Sequence, residues 1–159
     1  MNLANLQLRA PHAEEFVAVA ALVHRAFDAA VAPGLNAEGR ATFYAYAVSE
    51  AIAGRHAFEH LTLLAERDGQ LLGMVQLKLP DHLCMLFVEP AAQGQGIGCA
   101  LVEAIIALAC AQQPGLRTIS VNASLNAVPA YQRYGFVPMS EERVRNGIRY
   151  VPMEKQLDA

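Results

Sequence analysis

The residues with the strongest claim to chemistry are Gln93-Gly94-Gln95-Gly96-Ile97-Gly98, a turn set between an apolar run and an amphipathic one. Alternate positions lack side chains, so successive backbone N–H groups can converge on one anion at the start of the following helix. A phosphate group suits such a cradle. Two nucleotide-binding patterns fail on spacing: a dinucleotide fingerprint needs G-x-G-x-x-G and a Walker loop needs Gly-Lys-Ser/Thr. Here the third glycine comes one place early at Gly98 and Cys99 occupies the expected position. No Asp or Glu occurs from Ala104 to Ser140 to hold a ribose, which disfavours NAD.

Other reactive side chains are scattered. Cys84, Cys99 and Cys110 are odd in number and lack C-x-x-C spacing, which argues against a disulfide framework and against a zinc site and fits a reduced cytoplasm. Cys84 sits between Leu83 and Met85, apolar neighbours that raise a thiol pKa, so packing is the expected role rather than nucleophilic attack. With a net charge of −3 and no run of Lys or Arg, the chain offers nucleic acid no electrostatic footprint. The N-terminus lacks the pattern of a secretion signal, and the apolar stretch around Ala104 to Ala111 is far short of the ~20 residues that span a bilayer. No membrane association is expected.

The turn needs elements to position it. His82 to Val88 reads as a central strand before it, and Leu101, Val102, Ile105, Leu108 and Ala109 give helical spacing after it, up to Pro114-Gly115. Arg117 to Val121 supplies the next strand. Upstream, Leu6 to Arg9 opens as a strand, followed by a helix carrying Phe16, Val19, Ala20, Val23 and Phe27 on one face. A second helix is predicted over Ala37 to Ala53, stopped by Gly54. Leu61 to Glu66 and Leu71 to Leu79 flank Asp68-Gly69 as a hairpin. A short helix from about Asn126 to Tyr134 precedes strands Phe136 to Arg145 and Ile148 to Gln156, joined at Asn146-Gly147.

With 54% apolar residues and no visible linker, residues 1–159 read as one α/β domain able to bury its own core. Apolar content beyond the needs of that core also allows a homodimer interface, which the sequence does not locate.

The run from Leu86 to Gly98 resembles the GNAT superfamily of N-acetyltransferases, whose pyrophosphate loop reads Arg/Gln-x-x-Gly-x-Gly/Ala after a bulged strand. Ser124-x-x-Ala127-x-x-Ala130-Tyr131-x-x-Tyr134-Gly135-Phe136 is similar to the superfamily's later helix, where a Tyr precedes a Gly-Phe pair. The resemblance implies a mixed central sheet of about six to seven strands flanked by about four helices. It implies acetyl-CoA as cosubstrate, no metal, and direct acetyl transfer to a primary amine of a small molecule or peptide. A CoA-binding sensor without turnover is the alternative.

By the same resemblance, Leu86, Phe87 and Val88 lie along the pantetheine arm, and the amides of Gln93, Gly94, Gln95, Gly96, Ile97, Gly98 and Cys99 hold the pyrophosphate. Asn122 and Ser124 either bond the cofactor or cap the next helix. Tyr131 is the expected proton donor to the departing thiolate, a phenol of reference pKa about 10 being protonated near neutrality. The base stays open among Glu50, His56, His60, His82 and Glu89. Acceptor specificity is expected in Ala29 to Arg40 and the Asn146-Gly147 hairpin, where Arg143, Arg145 and Arg149 either attract an acidic acceptor or serve solvation.

Overall fold

In the computed structural model, which describes residues 3–158, the chain starts with β1 (Leu6–Arg9) and enters α1 (Phe16–Ala30). The three- and four-residue spacing of Phe16, Val19, Ala20, Val23 and Phe27 buries one face of α1 against the sheet. Two helices follow, α2 (Ala37–Tyr46) and α3 (Ser49–Ala57). Asn36 caps α2 by accepting a hydrogen bond from the Gly39 amide at 2.9 Å.

The single helix predicted over Ala37 to Ala53 is therefore two. The Ala47 carbonyl, which a continuous helix would bond to the Ala51 amide, instead lies 2.9 Å from His24 Nε2 on α1. The Ala51 amide bonds Val48 O at 3.1 Å. Nor does Gly54 end the second piece: it lies in open space on the exposed side of α3, which runs on to Ala57.

β2 (His60–Arg67) and β3 (Gln70–Lys78) form the predicted hairpin, with Asp68 and Gly69 both at positive φ. β4 (His82–Val88) pairs antiparallel with β3, and the register slips between Gln76 and Leu77 so that Cys84 is the extra residue of a β-bulge. The glycine turn then feeds α4 (Ile97–Gln112). β5 (Thr118–Ser124) and α5 (Val128–Arg133) come next, with Pro129 in the donor-free first turn of α5. The strand expected over Phe136 to Arg145 is two short pieces, β6 (Val137–Pro138) and β7 (Arg143–Arg145), both on β8 (Ile148–Gln156). Pro152 accepts from the Met139 amide at 2.8 Å but has no N–H to return, so the ladder ends there.

The eight strands form one mixed sheet in the order β1-β2-β3-β4-β5-β8-β6, with β7 also on β8. α4 covers one face over Val75, Leu77, Leu83, Ile119 and Val121. On the other face α1 packs with Ile52 of α3 over Leu64, Met74 and Met85. Among the described residues this is the expected α/β architecture, with one strand more than the upper expectation and five α-helices.

One junction differs from the rest. β4 and β5 run parallel and pair only at His82↔Ser120 and Leu83↔Val121. Beyond Leu83 the two strands part, and the β4 edge that faces β5 has no strand partner out to Val88. The remaining neighbours in the sheet are antiparallel, and those on either side of this junction stay paired along most of their length, so the wedge is where the sheet can admit a ligand backbone.

Candidate active site

The wedge opens into a cavity of about 1110 Å³, above the ~300–1,000 Å³ usual for one small ligand. Its volume suits two reactants. One side is formed by Leu86, Phe87 and Val88 of β4 and by the turn into α4, and the other by α2, α5 and the β7–β8 hairpin.

The turn is shaped by Gly94 at φ 80° and Gly96 at φ 87°, left-handed conformations that strain any L-residue bearing a Cβ. Gly96 occupies the N-cap position of α4 and no side chain caps that helix, leaving the first-turn amides directed at the cavity mouth. Upstream, Arg25 grips Glu89 through Nε at 2.9 Å and Nη2 at 2.7 Å, tying α1 to the residue that leaves β4. Arg25 keeps the Glu89 carboxyl below its ordinary value, and Glu89 lies outside the large cavity.

Of the predicted cofactor contacts, Leu86, Phe87, Val88, Gln93, Gly94, Gly96, Ile97, Gly98, Cys99, Asn122 and Ser124 all line the cavity. Gln95 does not: its Oε1 accepts a hydrogen bond from Arg67 Nη1 at 2.9 Å, which turns the side chain toward β2. Ser124 starts the turn before α5 without a side-chain capping bond, and Asn122 is exposed on the same strand.

Tyr131 of α5 lines the cavity with only 6% of its surface exposed. Its ring meets Tyr134 and Phe136 edge-on, with centroids 5.8 and 5.4 Å away. Burial, with Tyr134 and Cys84 nearby, pushes the phenol well above its ordinary pKa, so the hydroxyl is a donor across the physiological range. Tyr134, three residues on in the same motif, also lines the cavity. A Cβ at Gly98 would lie 2.7 Å from the Tyr134 hydroxyl, which places that hydroxyl against the first turn of α4. The Gly98 spacing was the available signal for it.

Among the five candidate bases, only His60 and His82 line this cavity. His82 Nδ1 lies 2.8 Å from Ser120 Oγ, and burial lowers the imidazole pKa, keeping the ring neutral at pH 7. The Cys84 thiol donates to Gln76 O at 3.2 Å, and burial pushes its pKa up, away from a reactive thiolate.

Sequence reading missed a cluster from α2 and α3. The Arg55 guanidinium lies over the Tyr46 ring, 3.7 Å from its centroid, and Nε donates to Gln76 Oε1 at 3.0 Å. Gln76, fully buried, is itself held by Ile52 O at 3.2 Å and Thr62 Oγ1 at 3.0 Å. Both Tyr46 and Arg55 face the cavity.

The wall opposite β4 is completed by the β7–β8 turn. Asn146 and Gly147, both at positive φ, rest on α2, where a Cβ at Gly39 would lie 2.2 Å from Gly147 O. Thr42 Oγ1 donates to Asn146 O at 2.7 Å, and Arg149 Nη1 reaches Gly34 O at 3.2 Å. Among the described residues no three His, Cys, Asp or Glu side chains converge on a metal position, and no helix is long and apolar enough to cross a membrane.

Known proteins share this architecture. The model of the acetyltransferase (GNAT) domain matches residues 31–157. The crystal structure of a GCN5-related N-acetyltransferase from Rhodopseudomonas palustris superposes with a TM-score of 0.83 at 28% identity, over 99% of both chains. The PaiA N-acetyltransferase of Thermoplasma acidophilum, solved with coenzyme A, gives 0.77 at 18% identity over 96% of this chain and 99% of that one. A mycothiol acetyltransferase of Cellulomonas flavigena is 40% identical over 91 residues, which is 46% of this chain but only 26% of that protein's length. On the match across residues 31–157, this chain belongs to the GNAT acetyltransferase family.

Proposed function

We propose that the protein is an acetyl-CoA-dependent N-acetyltransferase that delivers the acetyl group directly to a primary amine. The observation that carries this reading is the β4–β5 wedge, which opens beside an uncapped α4 N-terminus into a cavity lined by Tyr131. A diphosphate fits the turn, because Gly94 and Gly96 supply the backbone geometry and no side chain competes for the first-turn amides. The exposed Arg133 at the rim adds a cation for phosphate. The pantetheine arm fits the free edge of β4 at Leu86–Val88, in the manner of an added strand. A neighbour of the same fold was solved with coenzyme A, which supports CoA as the ligand to test here.

When bound, acetyl-CoA supplies the activated acyl carbon. The amine nitrogen bonds to that carbon, the C–S bond breaks, and sulfur leaves with the bonding pair and takes up one proton, giving an amide and the free thiol. Tyr131 donates that proton and is reprotonated from solvent; its raised pKa keeps the phenol protonated until the sulfur leaves. His82, neutral and bonded to Ser120, accepts the proton lost by an amine that arrives charged, directly or through water.

Thiol release from acetyl-CoA with a panel of primary amines tests the reading, alongside calorimetric titration with coenzyme A. Saturable CoA binding with amine-dependent release is expected. Binding with no release for any amine would replace the enzyme with a CoA sensor.

A further inference from the structure

Acidic residues outnumber Lys and Arg in this chain by 15 to 12, yet the cavity is lined by Arg55, Lys78, Arg133, Arg145 and Arg149 and by no Asp or Glu. The bias is local. Arg133 stands at the cofactor rim, and Arg149 is paired with Glu142 at 2.8 Å. Arg145 and Lys78 are exposed, where water solvates a charge adequately.

Arg55 is different. It is part-buried, and among the described residues no carboxylate lies within ion-pair distance of it. Its Nε is held by Gln76, and its Nη2 donates to Tyr46 O at 2.9 Å and to Met85 Sδ at 3.5 Å. The Tyr46 ring covers one face of the guanidinium. Among the described residues, Nη1 alone has no protein acceptor. A guanidinium does not deprotonate to escape burial, so a fixed one with a free donor edge in a cavity wall favours an anion brought by the ligand.

The position of this edge is set by its neighbours. Arg55 touches Met85 and Tyr46, and Cys84 lies close enough to both Tyr46 and Tyr131 to raise their phenol pKa values. The cationic edge and the Tyr131 hydroxyl therefore flank the bulge of β4. Between Arg55 and the hairpin the wall is apolar and aromatic, with Phe27 stacked on Phe43 at 3.9 Å and Phe87 set 5.6 Å from Phe43.

We propose that the acceptor is an amino-carboxylate with an apolar body, its carboxylate bound by Nη1 of Arg55 and its carbon skeleton lying on Phe43, Tyr46 and Phe87. This rests on the acyl-transfer reading and narrows it to one substrate class. A single guanidinium edge matches one singly charged carboxylate, whereas a phosphate dianion would call for further donors. A polyamine would face cations with no carboxylate to receive it.

The test compares phenylalanine, leucine and methionine with their carboxamides, which keep the amine and the body but remove the negative charge. In thiol-release assays the acids should exceed the amides in kcat/KM by about 30- to 150-fold, the value of a charge-assisted hydrogen bond of ~2–3 kcal/mol. Arg55→Gln should bring that ratio close to unity, and Arg55→Lys should restore part of it, with melting curves reporting whether each variant folds. Acids and amides turned over equally by the wild type, or a ratio unchanged in Arg55→Gln, would overturn the inference and leave acyl transfer standing. Should no amine release thiol, titrating the same acids and amides into the CoA-loaded protein still decides it: heat from the acids alone supports the carboxylate site, and equal or absent heat refutes it.

Discussion

On the β4–α4 side of the cavity the groups that face a ligand are main-chain amides, positioned by Gly94 and Gly96 within one short turn. On the opposite side they are side chains, Phe43, Tyr46, Arg55, Arg149 and Tyr150, drawn from α2, α3 and β8. Main-chain recognition constrains only where glycine must stand, so one frame can be reused with many acceptors. On the proposed reading the side-chain wall carries the discrimination, and its parts, from Phe43 to Tyr150, lie more than a hundred positions apart in sequence. Cofactor affinity and acceptor choice should accordingly respond to different substitutions.

The largest expected effect sits where the two sides meet. Tyr131→Phe removes the proton donor while preserving the ring packing on Phe136, so turnover should fall roughly 10²- to 10⁴-fold with CoA affinity nearly unchanged by calorimetry. Unaltered turnover would take Tyr131 out of the mechanism. Next, Gly96→Val forces a β-branched residue into φ 87°, at a strain of ~1–2 kcal/mol. The loop relaxes away from that geometry, and restoring it on binding should weaken coenzyme A about tenfold, with no change in the preference among amines.

Gly39→Ala probes the other side. Helix propensity alone would favour alanine by ~1 kcal/mol, but a Cβ 2.2 Å from a backbone carbonyl cannot be accommodated without moving the hairpin. The clash should win, raising the amine KM several-fold while CoA affinity holds; an unchanged KM would mean that the hairpin plays no part in acceptor binding.

The smallest effect belongs to the scaffold. Burial lowers the folded pKa of His56 and His82 below the unfolded value of about 6.5, so the unfolded chain takes up protons first. Stability should therefore decline as pH falls below about 6.5, in melting curves between pH 7.5 and 5.5, and His56→Gln with His82→Gln should flatten that slope. Glu15, held by Arg9 at a pKa of about 2, contributes stability that is lost only as pH drops through the lower range, below about 4.5.

The contrast between the two sides also explains what the sequence disclosed. The glycine turn could be read directly, because a backbone that must adopt positive φ leaves its mark as a residue type, and Tyr131 came with the motif around it. Gln95 shared that motif, yet its side chain turns out to Arg67, a partner 28 residues earlier that no local pattern announces. Arg55 lay within a stretch read only for helical spacing, and its role depends on Tyr46, Gln76 and Met85, which meet it only in the fold. The break at Ala47 was invisible for the same reason, since the ring that claims its carbonyl belongs to α1.

The touch between Gly39 and Gly147 has one more consequence. It locks two distant stretches of chain together at one backbone touch, so the positions of Thr42, Asn146 and Ile148 on the cavity wall depend on the absence of a side chain at residue 39. Any larger residue there would shift that wall, and with it the width of the cavity.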